Sequence, residues 1–448
     1  MARLLFPEQF GLIGMITVFI AVAQTFSDSG FGDALIQKRE VTIAETCSIF
    51  YFGIAVGSAA AGLLCLVAPW ISTFYNQPEL TPLIRVLSLI IVIESLGRVQ
   101  DIILTKQIDF KTQMKIGIIA LVLSGAIGVV MAIFGFGVWS LVAQQLSRRI
   151  IRTCCLWIFN SWRPALIFSF NALRGMFKYG SRLLISALLN RIFENLYYLV
   201  IGKLFSAREL GLYARGKTMQ DLPSATFTQV VTRVTFPVFS SIQDDKARIK
   251  KILEKASTNL ALVNFPMMIG LAVISRPLVL VLLTEKWAEA IPYMELLCIT
   301  SLLNPFNWIN VNVMMSIGRS DLYLKMGIIQ KVLVVISIAI TWRYGIIAMI
   351  YASIVVSFIT YYIYNYYICV LIDYPIMKQS KDVFPYLIFA VIMGIIVYAV
   401  GFFPFNKLWY MLLAQIASGI FTYIFLCRVF RLMSFMEIWQ AGWDKINP

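Results

Sequence analysis

Apolar runs of membrane-crossing length alternate with short polar breaks along nearly the whole chain. The pattern predicts thirteen helical spans: 8 to 27, 43 to 71, 80 to 100, 114 to 134, 137 to 159, 177 to 202, 210 to 240, 255 to 283, 289 to 316, 322 to 342, 344 to 371, 383 to 403 and 407 to 430. Each has the roughly 20 residues that a hydrocarbon core of about 30 Å requires at about 1.5 Å of rise per residue. The segment 210 to 240 is the least apolar of them.

The pattern also repeats, at an offset of about 200 residues. Arg3-Leu4-Leu5-Phe6-Pro7-Glu8-Gln9-Phe10-Gly11-Leu12 aligns with Lys203-Leu204-Phe205-Ser206-Ala207-Arg208-Glu209-Leu210-Gly211-Leu212. In the same order follow Ile36-Gln37 with Ile242-Gln243, Pro69 with Pro277, Pro82 with Pro292, Lys115 to Ile119 with Lys325 to Ile329, and Gly137 with Gly345. A common order of weak matches marks a duplication. The second copy is preceded by an apolar helix, 177 to 202, where the first is preceded only by Met1-Ala2. The expected fold is therefore an all-α polytopic membrane protein with two pseudo-symmetric six-helix lobes and a C-terminal helix pair, the first helix of lobe 1 missing through a wrong start site or a fragment. The expected divisions are an N-terminal lobe at 1–160, a cytoplasmic linker at 161–176, a C-terminal lobe at 177–371, and the helix pair with its tail at 372–448.

Composition agrees: 60% of the 448 residues are hydrophobic, 14% are charged, and mean hydropathy is +0.80, too apolar for a soluble domain. The formal net charge of +15 is scattered over loops and helix ends. It alternates from loop to loop as the positive-inside rule requires, placing 28 to 42, 98 to 115 and 148 to 182 in the cytoplasm, and it does not read as a nucleic-acid surface. One loop breaks the alternation: 203 to 217 carries Lys203, Arg208, Arg215 and Lys217 yet should face outward. No cleavable signal peptide is visible. The seven cysteines lie in or beside spans, forming neither a disulfide framework nor a spaced metal site. The chain has no histidine, which excludes histidine acid–base catalysis and histidine metal ligation. There is no P-loop, and no extramembrane segment long enough for a soluble catalytic domain. No cofactor is expected; intramembrane transport remains, or an unusual intramembrane enzyme, and transport is the expectation.

Charge inside a span is costly, so it should face protein, a cavity or a partner. Helix 177 to 202 carries Arg182, Arg191 and Glu194, and at about 100° per residue Arg191, Glu194 and Asn195 share one face. That face reads equally as a substrate-contacting or ion-coupling wall and as a self-satisfied Arg191/Glu194 pair. Segment 210 to 240 adds Arg215, Lys217, Asp221 and Arg233, with Pro223 and Pro237 interrupting its backbone ladder. Arginine at such a position suits phosphate or pyrophosphate oxygens; snorkelling to the interface is the other reading. Glu94, Arg98 and Asp101 read most simply as a helix-end salt-bridge run. Arg148, Arg149 and Arg152 read as positive-inside anchors, though a cytoplasmic entry site for an anionic head group would look the same. Residues 244 to 256 place apolar positions under a basic face, as a surface helix on an anionic leaflet or an extension of the next span. Pro266 and Pro305 should kink their helices.

The first repeat motif, with Ala34-Leu35-Ile36-Gln37, Leu210-Gly211-Leu212-Tyr213-Ala214-Arg215 and Phe236-Pro237-Val238-Phe239-Ser240, resembles the polysaccharide-exporter branch of the multidrug/oligosaccharidyl-lipid/polysaccharide (MOP) flippase superfamily, and within it the colanic-acid-type Wzx exporters. The resemblance covers nearly the whole chain. It implies a multi-pass protein of the bacterial inner membrane that moves an undecaprenyl-pyrophosphate-linked oligosaccharide between leaflets by alternating access around a cationic cavity, driven by an ion gradient. It departs from the family in lacking one N-terminal helix and in having Gly216 where alanine is common. On this reading Arg182, Arg191 and Arg215 contact the head group or pyrophosphate, and Glu194 and Asp221 couple ions. The partners are the lipid-linked oligosaccharide, membrane lipids, and the polymerase and glycosyltransferases of the pathway. A multidrug antiporter, a peptidoglycan-precursor flippase and an intramembrane polymerase or ligase are the competing readings.

Overall fold

The computed structural model describes residues 1–28, 35, 38, 41–170, 184–437 and 440. Every regular element among them is helical. In chain order these are α1 Pro7–Asp28, α2 Ile43–Tyr75, α3 Leu80–Lys106, α4 Phe110–Ile133 and α5 Val138–Phe159. There follow α6 Leu184–Glu194, α7 Leu196–Leu204, α8 Ala207–Ser240, α9 Lys246–Val273 and α10 Ser275–Leu282. The last are α11 Ile291–Thr300, α12 Asn304–Ser316, α13 Ser320–Thr341, α14 Ile346–Ile372, α15 Ile376–Val400 and α16 Leu408–Val429.

Helix starts are set by local chemistry. The Thr42 hydroxyl accepts from the Glu45 N–H at 3.2 Å while the Glu45 carboxylate accepts from the Thr42 N–H at 3.1 Å, a capping box that opens α2. Asp109 caps α4 by accepting from the Thr112 N–H at 3.1 Å, and the hydroxyl and N–H of Thr112 hold its carboxyl below the usual range. Asp245 caps α9 through the Arg248 N–H at 2.9 Å, so 246 to 256 forms the first turns of a span rather than a separate surface helix.

Among the described residues nine helices are long and apolar enough to cross a bilayer, ten if the bent pair α6/α7 is taken as one span. Three of the expected spans depart from that standard for visible reasons. In α5 the arginines at 148, 149 and 152 dilute the apolar run, and α8 is polar along much of its length. Segment 289 to 316 breaks into α11 and α12 at Ser301–Leu303, so Pro305 begins a helix instead of kinking one. The carbonyls freed at the break are met by side chains: Asn264 Nδ2 donates to Leu302 O at 2.9 Å, and Ser357 Oγ to Thr300 O at 3.1 Å. Irregular backbone within an apolar bundle persists only where it is satisfied in this way. Segment 177 to 202, from residue 184 onward, bends by 45° at Asn195. By contrast α8 continues through both Pro223 and Pro237, and α9 through Pro266.

The chain divides into two compact units, Met1–Ala214 and Arg215–Pro448, the boundary falling within α8. In the first, α3 packs against both α2 and α5, α4 against α5, and α1 against α2 and α3. In the second, α9 packs on α15 and α15 on α16, with Phe265, Phe306 and Tyr361 in an aromatic row at centroid spacings of 5.5 and 6.0 Å.

Within the first unit α1 crosses the beginning of α8 at backbone contact. A Cβ on Gly11 would lie 1.6 Å from the Ala207 carbonyl oxygen, and one on Gly211 would lie 1.9 Å from that of Pro7. Glu8 and Arg208 form an ion pair beside them at 3.4 Å. Residues 7, 8 and 11 are the repeat counterparts of 207, 208 and 211, so the crossing is reciprocal. Gly11→Ala and Gly211→Ala are each expected to destabilise the protein by about 3 kcal/mol, read as a lowered thermal midpoint in detergent. Gly14→Ala, whose Cβ would meet side chains alone, Leu210 at 3.2 Å and Tyr198 at 3.5 Å, should cost less; equal midpoints for all three would show that the backbones do not meet at these glycines.

Candidate functional site

The first unit encloses a polar cavity of about 260 Å³ between α1, α3, α5 and α6. Its chemistry follows from helical spacing. Glu94, Arg98 and Asp101 recur at four and then three residues along one face of α3, and Arg149 and Arg152 one turn apart along α5. Three side-chain to backbone hydrogen bonds lock the two helices in parallel register: Thr153 Oγ1 to Ile93 O at 3.0 Å, Trp157 Nε1 to Leu96 O at 2.9 Å, and Asn160 Nδ2 to Gln100 O at 3.1 Å. Gly97 permits the approach, since a Cβ there would lie 3.0 Å from Thr153 Oγ1.

That register sets Arg149 against Glu94 and Arg152 against Asp101, the latter through Nη2 at 3.1 and 3.0 Å from the two carboxylate oxygens. Each carboxylate also has an amide donor. Gln24 Nε2 donates to Glu94 Oε2 at 2.7 Å, and Gln113 Nε2 lies 3.4 Å from Asp101 Oδ1. The side chains of Arg149 and Glu94 are 36% and 28% exposed, those of Arg152 and Asp101 42% and 35%. Pairs this accessible to water contribute at most about 1 kcal/mol each to stability. Arg98 and Arg191 also line the cavity, and Arg191 Nη1 pairs with Glu194 Oε2 at 3.1 Å. Four guanidinium groups thus converge on one small polar space.

Of the residues expected from sequence to form the site, Arg191 and Glu194 stand together on α6 at the cavity. Arg182 lies outside the described residues. Arg215 and Asp221 belong to the second unit, on α8. The Arg215 guanidinium lies over the buried Trp287 ring, 5.8 Å from its centroid. Gly216 leaves room for this packing, since a Cβ there would be 3.1 Å from the Met294 nitrogen. Asp221 interacts electrostatically with Lys217, one turn earlier. In the first unit, Lys203 donates to the Phe74 carbonyl at the end of α2 at 2.5 Å and lies over the Phe74 ring, and Arg208 pairs with Glu8. All four basic residues of 203 to 217, most of which forms the start of α8, are thereby engaged with protein groups.

Glu94, Arg98, Asp101, Arg149 and Arg152 are the cavity residues that sequence reasoning assigned elsewhere, to a salt-bridge run and to membrane anchors. The signal was present in their spacing. What was absent was the register that turns the two charged faces toward each other. Among the described residues no group of three or more His, Cys, Asp or Glu side chains is placed to hold a metal ion.

A bundle of apolar helices around an arginine-lined cavity defines a membrane transporter. Its fold is that of two solved structures. One is the lipid II flippase MurJ in an inward closed conformation, with a TM-score of 0.75, 15% identity, and 95% of this chain and 93% of that chain covered. The other is an inward-facing multidrug resistance MATE family transporter of the MOP superfamily, with a TM-score of 0.65, 15% identity, and 83% and 92% covered. Residues 1–292 match the polysaccharide biosynthesis protein family, and the chain belongs to it. Teichuronic acid biosynthesis protein TuaB of Bacillus subtilis (strain 168) is 29% identical over 419 residues, spanning 92% of this chain and 86% of that protein. Lipopolysaccharide biosynthesis protein WzxC of Escherichia coli (strain K12) is 29% identical over 345 residues, spanning 76% and 70%.

Replacing one charge of a half-exposed pair should leave the fold intact. Glu94→Gln and Asp101→Asn are each expected to shift unfolding by no more than about 1 kcal/mol. Trp157→Phe, which removes a bond that fixes the register, should cost about as much or more. Thermal melts of the purified variants in one detergent give the comparison.

Proposed function

We propose that the chain is a flippase of the bacterial inner membrane that carries a lipid-linked oligosaccharide across the bilayer by alternating access, for surface polysaccharide synthesis. The observation that carries this reading is the cavity in which Arg98, Arg149, Arg152 and Arg191 converge, inside a member of a polysaccharide biosynthesis family. Sugar and pyrophosphate cannot enter hydrocarbon, whereas a prenyl tail can remain in it. A water-accessible arginine cluster supplies the planar donors that pyrophosphate oxygens need while they are out of bulk solvent. The chain is a transport protein rather than an enzyme. The arginine content of the cavity disfavours cationic drugs as substrates.

In this reading the thirteen spans of the chain form two pseudo-symmetric lobes, 1–160 and 177–371, joined by 161–176 and followed by a helix pair at 372–448. Arg182, Arg191 and Arg215 contact the head group or pyrophosphate, and Glu194 and Asp221 couple its movement to an ion gradient. The polymerase and glycosyltransferases that consume and supply the lipid-linked oligosaccharide are the partners.

Expression in a strain lacking its polysaccharide flippase tests the proposal, with surface polymer as the readout. Restored polymer is expected from the unaltered chain, and Arg149→Gln/Arg152→Gln should reduce it at least roughly tenfold at equal membrane abundance. Full restoration by the double variant would remove the cavity from the transport path.

A further inference from the structure

The cavity's charges do not leave room for an anionic ligand unless they rearrange. Glu94 and Asp101 occupy Arg149 and Arg152, and Glu194 pairs with Arg191 beside the cavity, so four guanidinium groups and two carboxylates line the space. A pyrophosphate linkage carries more than one negative charge. It would be repelled by the standing carboxylates if they kept their arginines.

We propose that Glu94 and Asp101 are resident counter-anions of the cavity: an incoming pyrophosphate-class anion takes Arg149 and Arg152 from them, and they recapture the arginines when it leaves. This rests on the flippase reading and deepens it. Three observations support the exchange. Both pairs are accessible to water, with every side chain between 28% and 42% exposed, so they are weak and open to competition. Bidentate contact between guanidinium and phosphate is stronger than such a pair. Glu94 keeps the Gln24 amide as a donor after its arginine turns away, and the Gln113 amide, which donates to Thr105 Oγ1 at 2.8 Å and the Asp101 carbonyl at 3.0 Å, lies 3.4 Å from the Asp101 carboxylate and need only turn to reach it. The backbone does not have to move, because Thr153, Trp157 and Asn160 fix α5 on α3 independently of the charged side chains.

Such exchange serves release as much as binding. A cavity of unopposed arginines would hold its anion, whereas one with built-in competitors returns to a low-affinity state after each passage. Removing a competitor should therefore tighten binding and slow transport together, a combination that a purely structural salt bridge would not give.

The test titrates inorganic pyrophosphate into the full-length chain purified in neutral detergent, by calorimetry, alongside the polymer-restoration assay. Glu94→Gln and Asp101→Asn are expected to bind pyrophosphate roughly fivefold more tightly or better and to restore less polymer than the unaltered chain. Glu94→Asp, which keeps the charge, should stay near the unaltered chain in both. Equal or weaker binding by both neutral variants, with melting points unchanged, would overturn the exchange. So would tighter binding with undiminished polymer. A failure of the unaltered chain to restore polymer would instead count against the flippase reading, whatever the titration shows. Repeating the titration with anionic phospholipid in the micelles separates the two sources of phosphate. Loss of pyrophosphate binding in both forms would make a bilayer head group the occupant and overturn the proposal, while retained binding supports it.

Discussion

Hydrocarbon offers no hydrogen bond and no counter-ion, and most of this structure can be read as a response to that deficit. Where α11 gives way to α12, Asn264 and Ser357 meet the freed carbonyls. Where basic residues cluster at the end of α7 and the start of α8, a carbonyl, a carboxylate and aromatic rings receive them. The cavity in the first unit obeys the same rule with a difference. Its charges are paired, but loosely and in contact with water, so the pairing satisfies the bilayer's demand without fixing the arginines in place.

The apolar pattern predicted the helical class and most helix positions, because burial in lipid requires length and hydrophobicity and little else. It served less well where helices break. The sequence 289 to 316 has the length and predominantly apolar character of one span, and only Asn304-Pro305 hints that a second helix begins there. Pro223, Pro237 and Pro266, which looked equally disruptive, sit in helices that continue past them. A proline removes one donor, and whether the helix ends there depends on what surrounds it.

The site was legible in part. Arg191 and Glu194 stood out because charge at mid-span is rare, and the structure pairs them at the cavity. Glu94, Arg98, Asp101, Arg149 and Arg152 lie in the C-terminal halves of their helices, where salt bridges and anchors are the ordinary explanation. Their convergence depends on Gly97 and on three hydrogen bonds to backbone carbonyls, contacts between residues about 60 positions apart that no local pattern encodes.

The crossing at Gly11 and Gly211 bears on how the protein arose. A contact in which residue 7 meets 211 while 207 meets 11 is isologous, the arrangement of a two-fold dimer. An ancestor holding a single repeat would have met a second copy of itself at this glycine. In such a homodimer, whatever charge stood at the position of Glu8 would have faced its own likeness and been repelled. In one chain the two positions are free to differ, and Glu8 with Arg208 is an attraction across the local two-fold axis of this crossing that two identical copies could not make.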